Sequence, residues 1–207
     1  MTGPMHAQFK QSGRGIKWTQ TLALVICMMA ISACALVGQG APRVMISGYP
    51  DVQQSLDYTC GAAAASAFLQ FYGIKASELE GARAMRTDPK SGTAPKAMVS
   101  WLQAQGLKVA WGEQGSLDLL KRNLQQGRPT LVLWTDWGGH WVAVIGYDDK
   151  GTSKTDDDDL ILADPYDRVD GCPDGRTVFN AERFDAMWFD ALNFGRLMRR
   201  VYLFVPR

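Results

Sequence analysis

The amino-acid sequence predicts an α+β fold in which N-terminal helices pack on a C-terminal antiparallel sheet. Helical patterns occupy residues 60–126, and short runs rich in Val, Ile, Leu and aromatic residues follow them, bounded by Gly, Asp and Pro turns. Because helices precede strands instead of alternating with them, a parallel sheet is not expected. With 207 residues, of which 46% are hydrophobic and 21% charged, the chain can form one domain with a sizeable core and an appendage.

Four helices are predicted in the first half of the domain. Residues 60–72 form the first, with Gly73 as its stop. Residues 77–85 form the second, where Ser77 and Glu80 have the spacing of a capping box. A third helix begins at Pro95 and extends to residue 105, and a fourth lies within "GSLDLLKRNLQQG".

The strands are predicted from runs of β-branched and aromatic residues. These runs are "LKVAW", "TLVLWTDW", "HWVAVIGYDD", "DLILADPYD" and "RVYLFVPR". An acidic run, Asp156 to Asp159, lies between two of them and lacks the glycine and the distal glutamate of a calcium-binding loop. We therefore expect a solvated hairpin tip there.

The N-terminus has the features of a secretion signal. A basic stretch, "KQSGRGIK", leads into "TLALVICMMAISAC", which is too short for a spanning helix. The "ISAC" at its end resembles the lipobox of bacterial lipoproteins. This predicts a signal peptide at residues 1–33, lipidation of Cys34 and a tether at residues 34–48, followed by the folded domain at residues 49–207. An uncleaved membrane anchor is the alternative.

Lipidation would decide where the protein is found. Acyl chains on Cys34 would hold it to a lipid bilayer at the cell envelope. By analogy with lipoproteins, Ala35 after the lipid site suits the periplasmic face of the outer membrane, if the host has one.

The charge of the chain excludes nucleic acid as a partner. Net charge is +1, and residues 1–33 carry three basic residues and no acid, which leaves 19 basic and 21 acidic residues. There is no basic face of the kind that nucleic acid requires. No cofactor is indicated, and the domain is expected to be monomeric.

Cys60 is a candidate nucleophile because it begins a predicted helix. The positive end of the helix macrodipole favours thiolate over thiol. Two other interpretations stay open from the residues alone: a buried structural cysteine, and a disulfide between Cys60 and Cys172, the other cysteine of the folded domain.

His140 is the only histidine after residue 33, so catalysis by cysteine and histidine must use it, and a zinc site built on several histidines is excluded. His140 begins one predicted strand, and Asp164 ends the next. In an antiparallel pair the two residues would lie side by side, and the carboxylate could orient the imidazole. A structural histidine and a turn aspartate before Pro165 are the alternatives.

Gln54, six residues before Cys60, is a candidate donor to an oxyanion. Acyl transfer needs hydrogen-bond donors where negative charge develops, and a glutamine amide with the Cys60 backbone N–H could supply them. Gln53 is the alternative if the register differs by one residue.

Four segments together resemble the papain-like cysteine peptidases of the bacteriocin-processing type, family thirty-nine, and their stand-alone relatives. They are "QSLDYTCGAAAASAFLQFYG", "SGTAPKAMVSWLQAQGLKVAW", "GRPTLVLWTDWGGHWVAVIGYDD" and "LILADPYD". The resemblance implies a papain-like fold, peptide-bond hydrolysis and a peptide or protein substrate. It makes Cys60 the nucleophile, His140 the base and acid, Asp164 the orienting residue and Gln54 the oxyanion donor.

The same resemblance leaves the substrate open. The best-known members are fused to export ATPases and cut leader peptides after two glycines, whereas this sequence contains no ATP-binding loop and no transporter spans. An acyltransferase, like the papain-like phytochelatin synthases, and a lipid-anchored peptide-binding or scaffolding module without turnover are the alternatives to a peptidase.

Overall fold

Helices fill the first half of the folded domain in the computed structural model, which describes residues 44–167, 171–191 and 193–206. The predicted signal peptide, its alternative as a membrane anchor, the lipid site Cys34 and most of the tether lie outside those residues. The helices are α1 (Cys60–Phe71), α2 (Glu78–Ala84), α3 (Pro95–Ala104), α4 (Leu117–Gln125) and α5 (Ala181–Met187).

The strands begin with one short segment before the helices and otherwise follow them. They are β1 (Val44–Met45), β2 (Ala110–Gly112), β3 (Thr130–Trp134), β4 (His140–Asp148), β5 (Asp159–Ala163), β6 (Arg176–Asn180), β7 (Phe189–Asp190), β8 (Met198–Arg199) and β9 (Val201–Phe204). A 3-10 turn, Asp136–Gly138, connects β3 to β4.

The main sheet is antiparallel and has the strand order β2-β9-β3-β4-β5-β6. Strand β1 pairs with the far end of β4, where Val44 faces Tyr147. The predicted α+β class with an antiparallel sheet is confirmed. Strand β1 lies within residues 34–48, so part of the segment predicted as tether pairs with the sheet.

Helix α1 packs on the sheet through a face of small side chains. All residues from Cys60 to Leu69 are buried, and four consecutive alanines are among them. A Cβ on Gly61 would lie 2.6 Å from Cβ of Thr93 and 2.8 Å from Cδ1 of Trp141. The glycine after Cys60 therefore lets the start of α1 approach β4 closely.

The predicted helices all form, with one error of detail. Ser77 does precede α2, but its side chain caps no backbone N–H, so the predicted capping box is wrong. The adjacent Glu78 points instead to the segment before Cys60, where its Oε1 accepts hydrogen bonds from Ser55 N–H and from the Thr59 hydroxyl.

The hairpin between β4 and β5 is only partly solvated. Asp156 is exposed, as predicted, but Asp158 is 2% exposed and accepts a hydrogen bond from the Tyr147 hydroxyl. No group of three or more potential metal-ligating side chains occurs among the described residues. Within that same part of the chain, no helix is long and apolar enough to cross a membrane.

Candidate active site

Cys60 lies at the first position of α1, beside β4. Its side chain is 7% exposed and its thiol is free, so it does not pair with Cys172. Burial, the largest influence, raises the pKa of the thiol, but the hydrogen bond and charge of His140 and the backbone N–H groups of Trp141 and Gly61 lower it. The net pKa is below the ordinary cysteine value, so this environment favours the thiolate.

His140 is the first residue of β4 and is 3% exposed. One ring nitrogen, Nε2, lies 2.7 Å from Oδ1 of Asp164, and the ring also forms a hydrogen bond with Cys60. Burial lowers the pKa of the imidazole, yet the hydrogen bonds and charges of Asp164 and Cys60 outweigh it and raise the pKa to about 10. The structure thus favours an imidazolium beside a thiolate.

Asp164 directly follows β5. Strands β4 and β5 are antiparallel, with Ala143 opposite Ala163, which brings the end of β5 to the beginning of β4. The carboxylate also accepts hydrogen bonds from the Tyr166 backbone N–H at 2.9 Å and the Thr177 hydroxyl at 2.8 Å. Burial raises the pKa of Asp164, but these donors together with His140 lower it overall.

Thr177 was missed by sequence reasoning. It lies on β6, opposite Leu162, and is 1% exposed. The segment before β6 is rich in turn residues, and no strand was predicted there. The only signal was the alternation in "RTVFN", where Thr177 and Phe179 fall on one face.

Gln54 lines the same pocket as Cys60 and His140. The pocket has a volume of about 210 Å³, and the other described residues that line it are Asp57, Gly139 and Tyr166. Nε2 of Gln54 donates to the Leu56 carbonyl at 2.8 Å, which uses one of its two hydrogens. The second is therefore available to another acceptor, and Cys60 contributes the N–H of a first helical residue, which has no partner within the helix.

Gln53 occupies a different position from Gln54. Its Nε2 donates to the Asp51 carboxylate at 2.6 Å and to the Asp164 carbonyl at 2.9 Å, and its Oε1 accepts from the Asp167 N–H at 3.3 Å. It is not among the residues that line the pocket. Of the two glutamines, Gln53 ties the segment before α1 to the turn after β5.

A residue from the C-terminal part of the chain forms hydrogen bonds with the turn that precedes His140. The side-chain amide of Asn193 donates to the Gly138 carbonyl at 2.7 Å and to the Asp190 carboxylate at 2.9 Å. Gly139 has a φ of 120°, and a Cβ there would lie 2.2 Å from Nδ2 of Asn193. Both the conformation and the close approach require glycine at this position.

The arrangement brings together the three residues needed for covalent acyl transfer. A buried thiol is hydrogen-bonded to an imidazole, and that imidazole is hydrogen-bonded to a carboxylate with three donors. Such a chain can generate a nucleophile and then deliver its proton to a leaving group. Of the residues expected to act together, Cys60, His140 and Gln54 line one pocket, and Asp164 joins them through its hydrogen bond with His140.

Comparison with known proteins gives a family and a fold. The sequence model of the family described as Peptidase C39-like matches residues 46–190. No curated protein matches the chain significantly. A C39-like peptidase from Bacillus anthracis has a similar structure, with a TM-score of 0.58 and 16% identity over 79% of this chain and 98% of that one.

Two further solved structures share the fold. One is the peptidase domain of Streptococcus ComA, a bifunctional ABC transporter involved in quorum sensing, with a TM-score of 0.55 and 20% identity over 77% of this chain and 99% of that one. The other is a double-glycine-motif protease from an AMS/PCAT transporter in complex with its leader peptide, with a TM-score of 0.56 and 17% identity over 82% of this chain and 100% of that one.

Proposed function

Because the chain belongs to the Peptidase C39-like family and is a papain-like cysteine peptidase, we propose that it hydrolyses peptide bonds through a covalent intermediate on Cys60. His140 is the general base and acid, and Asp164 orients the imidazole. Gln54 and the Cys60 backbone N–H stabilise the oxyanion. The observation that carries this proposal is the continuous hydrogen-bonded chain of three buried side chains beside the pocket.

The acylation half of the reaction begins with the thiolate. Sγ of Cys60 attacks the carbonyl carbon of the scissile bond, and the carbonyl oxygen takes the negative charge of the tetrahedral intermediate. The amide of Gln54 and the Cys60 N–H donate hydrogen bonds to that oxygen. When the intermediate collapses, the carbon–nitrogen bond breaks and the imidazolium of His140 gives its proton to the leaving amine.

The deacylation half returns the enzyme to its starting state. A water molecule loses a proton to the now neutral His140 and attacks the thioester carbonyl. Collapse of the second intermediate breaks the carbon–sulfur bond and releases the carboxylic acid. Throughout, Asp164 holds Nε2 of His140, so the other ring nitrogen stays directed at Cys60 and the substrate.

The first experiment is labelling of the purified, reduced domain, residues 35–207, with a thiol-directed active-site probe across pH. We expect Cys60 to react well below a pH of about 8.5, the pKa of a free cysteine. His140→Ala should remove that low-pH reactivity, while Cys60→Ala should abolish labelling. If Cys60 reacts like an ordinary buried thiol and is indifferent to His140, the proposed mechanism is wrong.

The membrane tether is a separate part of the proposal. The "ISAC" sequence before Ala35 supports diacylglyceryl attachment at Cys34 and retention of the peptidase at the cell envelope. Metabolic labelling with a palmitate analogue should mark the full-length chain, and Cys34→Ser should abolish the label and release the protein from the membrane fraction. If the wild-type chain incorporates no label, the lipoprotein assignment is wrong.

A further inference from the structure

Asp57 is an acidic side chain at the pocket that has no role in the reaction described above. It lines the pocket together with Gln54 and Cys60 and is exposed to solvent. Among the residues that the structure describes, none of those that line this pocket is a lysine or an arginine. Because the thiolate and the imidazolium cancel, the described part of the lining has one net negative charge, which the carboxylate of Asp57 supplies.

The neighbouring acidic side chains accept hydrogen bonds from other residues of the protein, whereas Asp57 has no such partner among the described residues. Asp51 accepts a hydrogen bond from Gln53, and Glu78 accepts hydrogen bonds from Ser55 and Thr59. In the part of the chain that the structure describes, Asp57 forms no hydrogen bond or ion pair. None of the described residues therefore compensates its charge at the pocket.

We propose that Asp57 selects substrates that carry a basic side chain next to the scissile bond. The inference rests on the proposed function, since it concerns a peptide bound beside Cys60. A lysine or arginine side chain entering the pocket of about 210 Å³ could place its cationic end near the carboxylate. A glutamate in the same position would meet a like charge in the same partly enclosed space.

The expected size of the preference follows from the exposure of Asp57. A solvent-exposed ion pair changes affinity by up to about five-fold, and replacing attraction by repulsion adds a factor of similar size. We expect a basic side chain to react about five-fold faster than a neutral one of the same length. The difference between basic and acidic side chains should be about ten-fold or more.

The test compares probes that differ only in charge. Peptidyl acyloxymethyl ketones, which alkylate active-site cysteines, would carry lysine, norleucine or glutamate at the residue bearing the reactive carbonyl or at the preceding residue. Internally quenched peptides with the same three side chains would cover the position after the scissile bond. The quantity measured is the ratio of lysine to norleucine rates at each position.

Three variants distinguish selection from a structural effect. Asp57→Asn should bring the lysine-to-norleucine ratio close to one, and Asp57→Lys should favour glutamate. Asp118→Asn is the matched control, because Asp118 is an exposed acid at the start of α4 and does not line the pocket. It should keep the wild-type ratio.

The outcomes separate this inference from the proposed function. If the probes label Cys60 at rates independent of charge at every position, the inference is wrong and the peptidase mechanism stands. The same conclusion follows if Asp57→Asn keeps the wild-type ratio and changes only the melting temperature. That result would mean that Asp57 stabilises the start of α1 through the helix dipole and does not select substrates. If no probe labels Cys60, the proposed function fails and the inference with it.

Discussion

Nε2 of His140 lies 2.7 Å from Oδ1 of Asp164, although the two residues are 24 positions apart in the chain. The pairing of β4 with β5 creates this contact, because one strand begins where its neighbour ends. The register of the sheet is therefore what aligns the imidazole with the carboxylate.

The pH dependence of the reaction should have two limbs set by Cys60 and His140. Activity rises as the thiolate forms, below the ordinary cysteine pKa, and falls as the imidazolium loses its proton near the His140 pKa of about 10. Asp164→Asn removes a hydrogen bond and a charge that raise the pKa of His140, so the alkaline limb should move to lower pH. Rates measured from pH 4 to 11 would check this, and an unmoved alkaline limb in Asp164→Asn would contradict it.

Gln54→Ala should lower kcat by about 10²- to 10³-fold, the usual effect of removing one oxyanion donor. Alkylation of Cys60 by iodoacetamide builds no oxyanion and should remain near the wild-type rate. Gln53→Ala is the comparison, because Gln53 bonds the turn after β5 and lies off the pocket lining. It should lower the melting temperature more than it lowers kcat. A larger kcat loss in Gln53→Ala would assign the oxyanion role to Gln53.

Thr177→Val keeps the shape of the side chain but removes a donor to Oδ2 of Asp164. Loss of a hydrogen bond to a buried carboxylate should cost about 1.5–3 kcal/mol of stability. Because Thr177 helps to lower the pKa of Asp164, Thr177→Val should raise that pKa. Protonation of Asp164 should then add to the loss of activity on the acid side, where Cys60 sets the limb in the wild type.

Thr130→Val provides the control for that prediction. The Thr130 hydroxyl accepts a hydrogen bond from Asn123 at 3.0 Å and makes no contact with Asp164. This variant should lose stability without a change in the pH profile. If both threonine variants shift the pH dependence of activity equally, the shift results from the loss of stability and not from the hydrogen bond to Asp164.

Gly61→Ala should destabilise the domain by about 1–3 kcal/mol, since the new methyl would overlap Thr93 and Trp141. Displacement of Trp141 would also move the backbone N–H that it directs at the sulfur of Cys60. Ser66→Ala, on the same helix, removes a buried hydroxyl that has no hydrogen-bond partner, and it should leave stability equal or about 1 kcal/mol higher. Urea unfolding of both variants would check the contrast.

The helices and the long strands could be predicted because their patterns are local. Periodic apolar residues, Gly73 after α1 and Pro95 at the start of α3 mark these two helices to within a residue or two, and strand β4 begins at His140 as predicted. The order of helices before strands was enough for the fold class, which depends on layering and not on register.

The contacts around the site depend on pairing between distant segments, which no local pattern records. Thr177 reaches Asp164 because β6 pairs with β5, and Asn193 reaches Gly138 across 55 positions. The two adjacent glutamines have the same functional group. Only the directions of their side chains in the folded protein distinguish Gln54, which lines the pocket, from Gln53. The error at Ser77 has a similar origin, since Glu78 contacts residues 55 and 59 in space.

The burial of α1 from Cys60 to Leu69 has a consequence for motion. Regions with many buried contacts open only rarely to solvent, whereas exposed loops open often. The amide groups in the interior of α1 should therefore be among the slowest in the domain to exchange with deuterium. The candidate nucleophile is thus attached to one of the least mobile elements among the described residues, and we expect adaptation to different substrates to come from the loops that surround it.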